Sequence, residues 1–145
     1  MLPLESSISP TLKTQGFRKK ARTWWRDREE TIQVLNIQKN PWGSGGLYIN
    51  LGVYIRELGQ DSSPAAHKCH VQVRLETVAT EEAWNEIVSA VADKEPSAAL
   101  LQAVLSDGVA WLNRVSTVEG IRCYLNDGGT KNGIVFAAVR EHVGL

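Results

Sequence analysis

The sequence predicts an α+β domain: an antiparallel meander of about four strands, followed by helices packed on one face of the sheet. Apolar and polar side chains alternate through residues 47–56 and 69–76, which is typical of strands with one buried face. Apolar residues three and four positions apart recur in the second half of the chain, which is typical of amphipathic helices. We therefore expect a single domain over residues 1–145, with a sheet half at about 17–76 and a helical half at 80–145.

The composition narrows the classes of protein and partner. Hydrophobic residues make up 43% and charged residues 22% of the chain, and the formal net charge is zero. Overall charge therefore gives no reason to expect nucleic acid or an acidic membrane as partner. The first ten residues do not have the pattern of a secretory signal, and no apolar stretch approaches the roughly 20 residues that span a bilayer. With only two cysteines, we expect a cytoplasmic protein with free thiols.

The N-terminal segment, residues 2–15, precedes the sheet. Leu4, Ile8 and Leu12 recur at four-residue spacing, which indicates a short helix or an extended lead-in. Pro10 argues against one continuous helix, because proline inside a helix lacks the donor for a backbone hydrogen bond.

Two strands are predicted next, at about residues 17–26 and 31–39. The apolar residues of the second fall on both of its faces, as expected of an interior strand. Proline and glycines at 40–46 then end it. This glycine-rich loop lacks the lysine and the serine or threonine of a phosphate-binding loop, so it is predicted to be a hairpin connection.

The third and fourth strands carry the clearest pattern, because every aliphatic side chain points to one face. The opposite face should stay open if the helices pack on the aliphatic face. The candidate binding residues on this open face, two of them from the second strand, are Tyr48, Asn50, Tyr54, His70, Arg74, Asn36 and Gln38.

Helices are predicted for the rest of the chain. Thr80 is a plausible N-cap of the first, whose apolar stripe makes Trp84 a core residue. Pro96 begins a second helix, and Ser116 with Glu119 matches a capping box for a third. The short apolar tail at 133–143 is predicted to be a last helix.

The order of several motifs resembles a known family. They are a glycine-phenylalanine, basic, aromatic opening at 16–26, then Leu-Asn-Ile-Gln-Lys at 35–39, Tyr-Ile-Asn-Leu-Gly at 48–52, Cys-His-Val at 69–71 and Arg-Leu at 74–75. This pattern is similar to the bacterial family called domain of unknown function 4304. The resemblance implies an α+β fold with the sheet before the helices, and it implies no activity. Ala21 stands where that family's opening would have glycine.

The leading functional hypothesis is a non-enzymatic interaction module that uses the open sheet face. His70 and Arg74 lie two residues apart, and Tyr48 and Asn50 on the next strand add hydrogen-bonding groups, which suits a carboxylate or phosphate. Tyrosine and arginine often anchor protein interfaces, so another protein is the expected partner. Analogy with small bacterial domains suggests a toxin-neutralising, immunity-like role. We predict no catalytic residue, cofactor or metal ligand, and the sequence leaves the oligomeric state open.

Two alternatives come from other motifs. Residues 18–28 combine basic side chains with Trp24 and Trp25, a combination that holds single-stranded nucleic acid, although neighbouring acidic residues and a solvated strand edge also explain it. The second alternative is a small hydrolase or transferase with His70 as base. Cys69 cannot pair with His70 on a strand, because adjacent side chains point to opposite faces. The spacing around them fits no standard zinc site.

Overall fold

The computed structural model describes residues 1–40, 45–129, 131 and 133–145. In this part of the chain, one open antiparallel sheet follows chain order: β1 (Arg18–Lys20), β2 (Thr23–Asp27), β3 (Thr31–Lys39), β4 (Leu47–Ile55), β5 (Val71–Arg74) and β6 (Gly133–Val135). The α-helices are α1 (Pro3–Thr14), α2 (Glu81–Val88), α3 (Ala98–Gln102), α4 (Val109–Arg114), α5 (Val118–Asn126) and α6 (Ala137–Val143). Short 3-10 helices occupy Arg56–Leu58, Ala66–Lys68 and Leu75–Thr77.

The predicted α+β class is confirmed, whereas the expected four strands are six. The predicted first strand is a hairpin: β1 and β2 pair across a two-residue turn at Ala21 and Arg22, with Lys20 opposite Thr23. The predicted tail helix at 133–143 is also wrong in part. Its first residues form β6, which pairs with β5 at the far edge of the sheet.

The main core lies between the sheet and the α-helices. The five aliphatic side chains of β4 that point to this side are at most 5% exposed: Leu47, Ile49, Leu51, Val53 and Ile55. Buried residues of all six helices belong to the same cluster. From α3 the chain continues through a π-helical stretch (Ala103–Gly108) into α4. This stretch crosses close to the sheet, since a Cβ on Gly108 would lie 3.7 Å from Cδ1 of Leu51 in β4.

Helix α1 is continuous through Pro10, contrary to the expectation from sequence. Its buried stripe accounts for this, because Leu4, Ile8 and Leu12 are at most 2% exposed. Burying three aliphatic side chains contributes several kcal/mol, which offsets the one hydrogen bond that Pro10 cannot make. Tertiary packing therefore decides the conformation of this segment.

Helix α2 buries a different face from the predicted one. Ala83 and Ile87 are buried, whereas Trp84 is 50% exposed and is not a core residue. Thr80 is the N-cap by position but makes no side-chain capping bond. At α5, Thr117 rather than Ser116 is the N-cap, and its hydroxyl accepts from the Gly120 N–H at 3.0 Å.

Polar side chains also join the sheet to the helices. Arg26 donates from Nε to Gln33 Oε1 at 2.7 Å and from Nη2 to Asn113 Oδ1 at 2.6 Å. Gln33 in turn donates to the carbonyl oxygen of Leu112. Burial, and secondarily the nearby Arg28, lowers the pKa of Arg26 to about 10. Buried polar groups need such partners, so these bonds fix α4 against β2 and β3.

The glycine-rich connection between β3 and β4 was predicted as a hairpin loop. Most of it, residues 41–44, lies outside the described residues.

Candidate binding groove on the outer sheet face

The outer face of the sheet is the face opposite the α-helices, and half of it is covered. Residues 56–68, here called the cover segment, fold back over this half. A second buried cluster forms beneath them: Trp25, Ile32, Val34, Tyr54 and Cys69. The Trp25 Nε1–H donates to the Pro64 carbonyl at 2.8 Å, which fastens the segment to β2. The open part of the outer face is therefore the other half.

A groove of about 480 Å³ occupies the open half. Strand register places Thr23, Asn36, Asn50 and Arg74 side by side across β2 to β5. Part of the cover segment, at 65–67, forms one wall. Gly133 and Ile134 of β6 also line the groove.

Side-chain amides form a connected floor. Asn50 donates from Nδ2 to Asn36 Oδ1 at 3.1 Å and to Gln38 Oε1 at 3.0 Å. Asn36 donates from Nδ2 to Thr23 Oγ1 at 2.9 Å. These bonds hold the amides in fixed orientations, which prepares them for a ligand.

Arg74 supplies the positive charge of the groove. Its guanidinium carbon lies 3.9 Å from the centroid of the Tyr48 ring, and both side chains are half-buried. No carboxylate within the described ranges forms an ion pair with it. The cation is therefore oriented by stacking and its hydrogen-bond donors remain available.

A family model described as a domain of unknown function (DUF4304) matches residues 8–114, which is well over half of the chain. The chain belongs to the DUF4304 family. The groove floor from β2 to β5 lies inside the matched range, whereas β6 follows it. Neither the curated proteins nor the solved structures contain a match to this chain.

Five of the seven predicted binding residues meet at or beside the groove of this DUF4304 domain. Asn36, Gln38, Asn50 and Arg74 line it, and Tyr48 lies under Arg74. The period-two pattern thus assigned Tyr48, Asn50 and Arg74 to the correct face, which Asn36 and Gln38 of β3 share.

Tyr54 and His70 share the outer face but are not exposed, contrary to expectation. Their exposed fractions are 6% and 7%, and their rings lie 4.5 Å apart beneath the cover segment and Phe136. His70 Nδ1 accepts from the Ile55 N–H at 2.8 Å, and the Tyr54 hydroxyl accepts from the Asp61 N–H at 3.2 Å. Burial, and secondarily His142, lowers the pKa of His70. Neither residue lines the groove.

Three contributors to the groove are not among the predicted binding residues: Gln72, the wall at 65–67 and Ile134. Gln72 appears in the alternating pattern, so its position on the outer face was predictable. It donates from Nε2 to the carbonyls of His67 and Cys69, at 3.1 and 2.9 Å, and so holds the groove wall. The wall at 65–67 has no periodic pattern of apolar residues, so the sequence did not predict it. Ile134 was missed because its strand was predicted as helix.

The basic-aromatic segment of this DUF4304 domain is largely engaged inside the fold. Trp24 and Trp25 are 1% and 8% exposed, so their faces are not free for base stacking. Arg18 pairs with Asp27 at 3.0 Å, and Arg26 is buried. Segment β1 forms an edge of the sheet, where its lysines discourage pairing with another chain.

The described residues of this DUF4304 domain contain no group of three histidine, cysteine, aspartate or glutamate residues placed to hold a metal ion. Among them, no helix combines the length and apolarity needed to cross a membrane.

Proposed function

We propose that this DUF4304 domain is a non-enzymatic protein-binding module whose groove takes a carboxylate-bearing segment of a partner. The observation that carries the proposal is Arg74, a stacked, half-buried cation with no carboxylate partner among the described residues, in a groove whose polar lining consists mostly of side-chain amides. A planar guanidinium binds a carboxylate through two parallel hydrogen bonds.

The amide floor favours a polypeptide partner. Asn36, Gln38, Asn50 and Gln72 carry the donor and acceptor groups that peptide bonds match. The exposed side chain of Ile134, 56% accessible, adds an apolar contact at the wall. Arginine and tyrosine are enriched in protein interfaces, and here Arg74 stacks on Tyr48 beside the amides of the groove.

The ionisable groups of the groove favour binding over catalysis. Among the described lining residues, only Arg74 and His67 are ionisable. A nucleophile needs a neighbouring base, and acid-base catalysis needs a group with a tuned pKa near the substrate.

For location we propose the reducing cytoplasm, supported by two free thiols, Cys69 and Cys123.

A comparative pull-down tests the proposed function. The bait proteins are the wild type, the groove variant Arg74→Gln/Asn50→Ala, and the control Arg28→Gln/Asn85→Ala, which changes exposed residues of the same types elsewhere. We expect a protein that the wild type and the control retain at least tenfold more than the groove variant, measured by quantitative mass spectrometry. Matching thermal unfolding of the three baits shows that they are folded. Equal retention by all three would contradict the proposal.

A further inference from the structure

Three side-chain amides of the groove each have an atom without a hydrogen-bond partner among the described residues. Both N–H groups of the Asn50 amide donate to Asn36 and Gln38, which leaves Asn50 Oδ1 without a donor among the described residues. Both N–H groups of the Gln72 amide donate to backbone carbonyls, which leaves Gln72 Oε1 in the same state. Gln38 Nε2 makes no hydrogen bond in the described part of the chain and is a free donor.

Two of these free groups belong to neighbours of Arg74 on the outer face. Asn50 lies opposite it on the neighbouring strand, at the roughly 5 Å spacing of cross-strand pairs. Gln72 lies two residues away on the same face of β5, about 7 Å along the strand. The groove therefore combines one cation with the amide oxygen of Asn50 on the neighbouring strand and that of Gln72 farther along β5, on the side away from the Tyr48 ring.

We infer that the ligand of this groove is the free C-terminus of a polypeptide. The inference rests on the proposed function and specifies which carboxylate the partner supplies. The terminal carboxylate binds the Arg74 guanidinium, and the N–H of the same residue donates to Asn50 Oδ1 or Gln72 Oε1. The Gln38 amide then donates to the preceding carbonyl oxygen. A single C-terminus therefore gives a partner to the cation, to an amide oxygen and to the free amide donor.

The alternative anions fit less well for a physical reason. A phosphate monoester dianion presents acceptor oxygens only, so it would face the amide oxygens of Asn50 and Gln72 without a donor for either. Leaving such acceptors unpaired on ligand binding costs affinity. The side-chain carboxylate of an aspartate is farther from its own backbone N–H than a terminal carboxylate is, so it does not present the two groups as one compact unit.

Peptide titrations followed by 15N–1H correlation spectra test this inference. The probes are N-acetyl-Ala-Ala-Ala with a free carboxylate, the same peptide as its C-terminal amide, and N-acetyl-Ala-Asp-Ala-amide with only a side-chain carboxylate. We expect the free-carboxylate peptide to shift the Gln38 side-chain amide and Arg74 Nε–H resonances saturably. The two amidated peptides should bind at least tenfold more weakly.

Two variants complete the test. Arg74→Gln should weaken binding of the free-carboxylate peptide at least tenfold, whereas Arg28→Gln, at an exposed arginine outside the groove, should leave it unchanged. Equal binding of the aspartate peptide would overturn the C-terminus inference and leave a carboxylate-binding groove. Equal binding of the neutral amide, or no shift with any peptide, would also overturn it. The pull-down decides the proposed function separately.

Discussion

Ala21 is the non-glycine residue with a positive φ angle, +52°, in the described part of the chain. It is the first residue of the two-residue turn between β1 and β2, a position where hairpin turns favour glycine. The left-handed conformation brings Cβ close to the following carbonyl oxygen and costs about 1–2 kcal/mol in a residue with a side chain. Glycine has no Cβ and avoids this strain, which is a steric reason for the glycine expected at this position of the motif.

We predict that Ala21→Gly increases the free energy of unfolding by about 0.5–1 kcal/mol. Relief of the left-handed strain outweighs the extra backbone entropy that glycine gives the unfolded chain, which costs about 0.4–1 kcal/mol. Urea unfolding should show a higher midpoint with an unchanged slope.

Ala65→Gly is the matched control. Ala65 is exposed and has a φ of −65°, so glycine there relieves no strain and should leave the stability unchanged or lower. Equal stabilisation by both substitutions would contradict the role given to Ala21.

At the scale of elements, Tyr54 near the end of β4 and His70 just before β5 form an aromatic contact beneath the cover segment. His70 packs between Tyr54 and Phe136, with ring centroids at 4.5 and 5.7 Å. Its Nδ1 accepts a backbone hydrogen bond, so the neutral ring is the form that fits. The cover segment and the tail after β6 both depend on this contact, since the Phe136 N–H donates to the His70 carbonyl at 2.9 Å.

We predict that the free energy of unfolding falls as the pH drops below about 6.5, the usual pKa of histidine. Burial lowers the pKa of folded His70, so over this range the unfolded chain binds a proton that the folded chain does not. The loss should level off below the folded pKa. Urea unfolding between pH 7.5 and 5 measures it.

The His70→Asn variant should show a shallower pH dependence, because the amide oxygen can accept the Ile55 N–H without titrating. His67→Asn, at the exposed histidine three residues earlier, should keep the wild-type dependence. If the free energy of unfolding depended on pH equally in the wild type and in His70→Asn, His70 would not be the group responsible.

The elements also show what the sequence could reveal. The predicted bounds of the second strand match β3, because an apolar run ends there at proline and glycines. Those of the third end one residue beyond β4, because nine alternating residues give a readable period. Strands β1 and β6 have three residues each and carry no such period. The burial of Tyr54 and His70 depends on an irregular cover segment, whose path no periodic pattern encodes.

At the scale of the whole molecule, Gln33 links the sheet to the helices. It accepts from Arg26 and donates to the Leu112 carbonyl, and its own exposed fraction is 0%. Removing its amide leaves a buried cation and a buried carbonyl each short of one partner. Each loss costs about 1–3 kcal/mol, and more where a charge is involved.

We predict that Gln33→Leu lowers the free energy of unfolding by about 2–4 kcal/mol, seen as a lower urea midpoint. Gln38→Leu is the control on the same strand, because Gln38 is exposed on the outer face. It should cost less than about 0.5 kcal/mol. If the two substitutions cost the same, the sheet-to-helix link would not contribute as described.

The depth of the groove depends on the cover segment, because residues 65–67 build a wall that the flat outer face lacks. Sheet and helices form the main core without this wall, so changes in its length or side chains would leave that core intact. Surface loops tolerate insertion and substitution far better than strands do. Under the proposed function, a few loop residues are enough to change what such a groove recognises, and comparing this stretch is the direct way to decide whether a specificity found in one DUF4304 protein transfers to another.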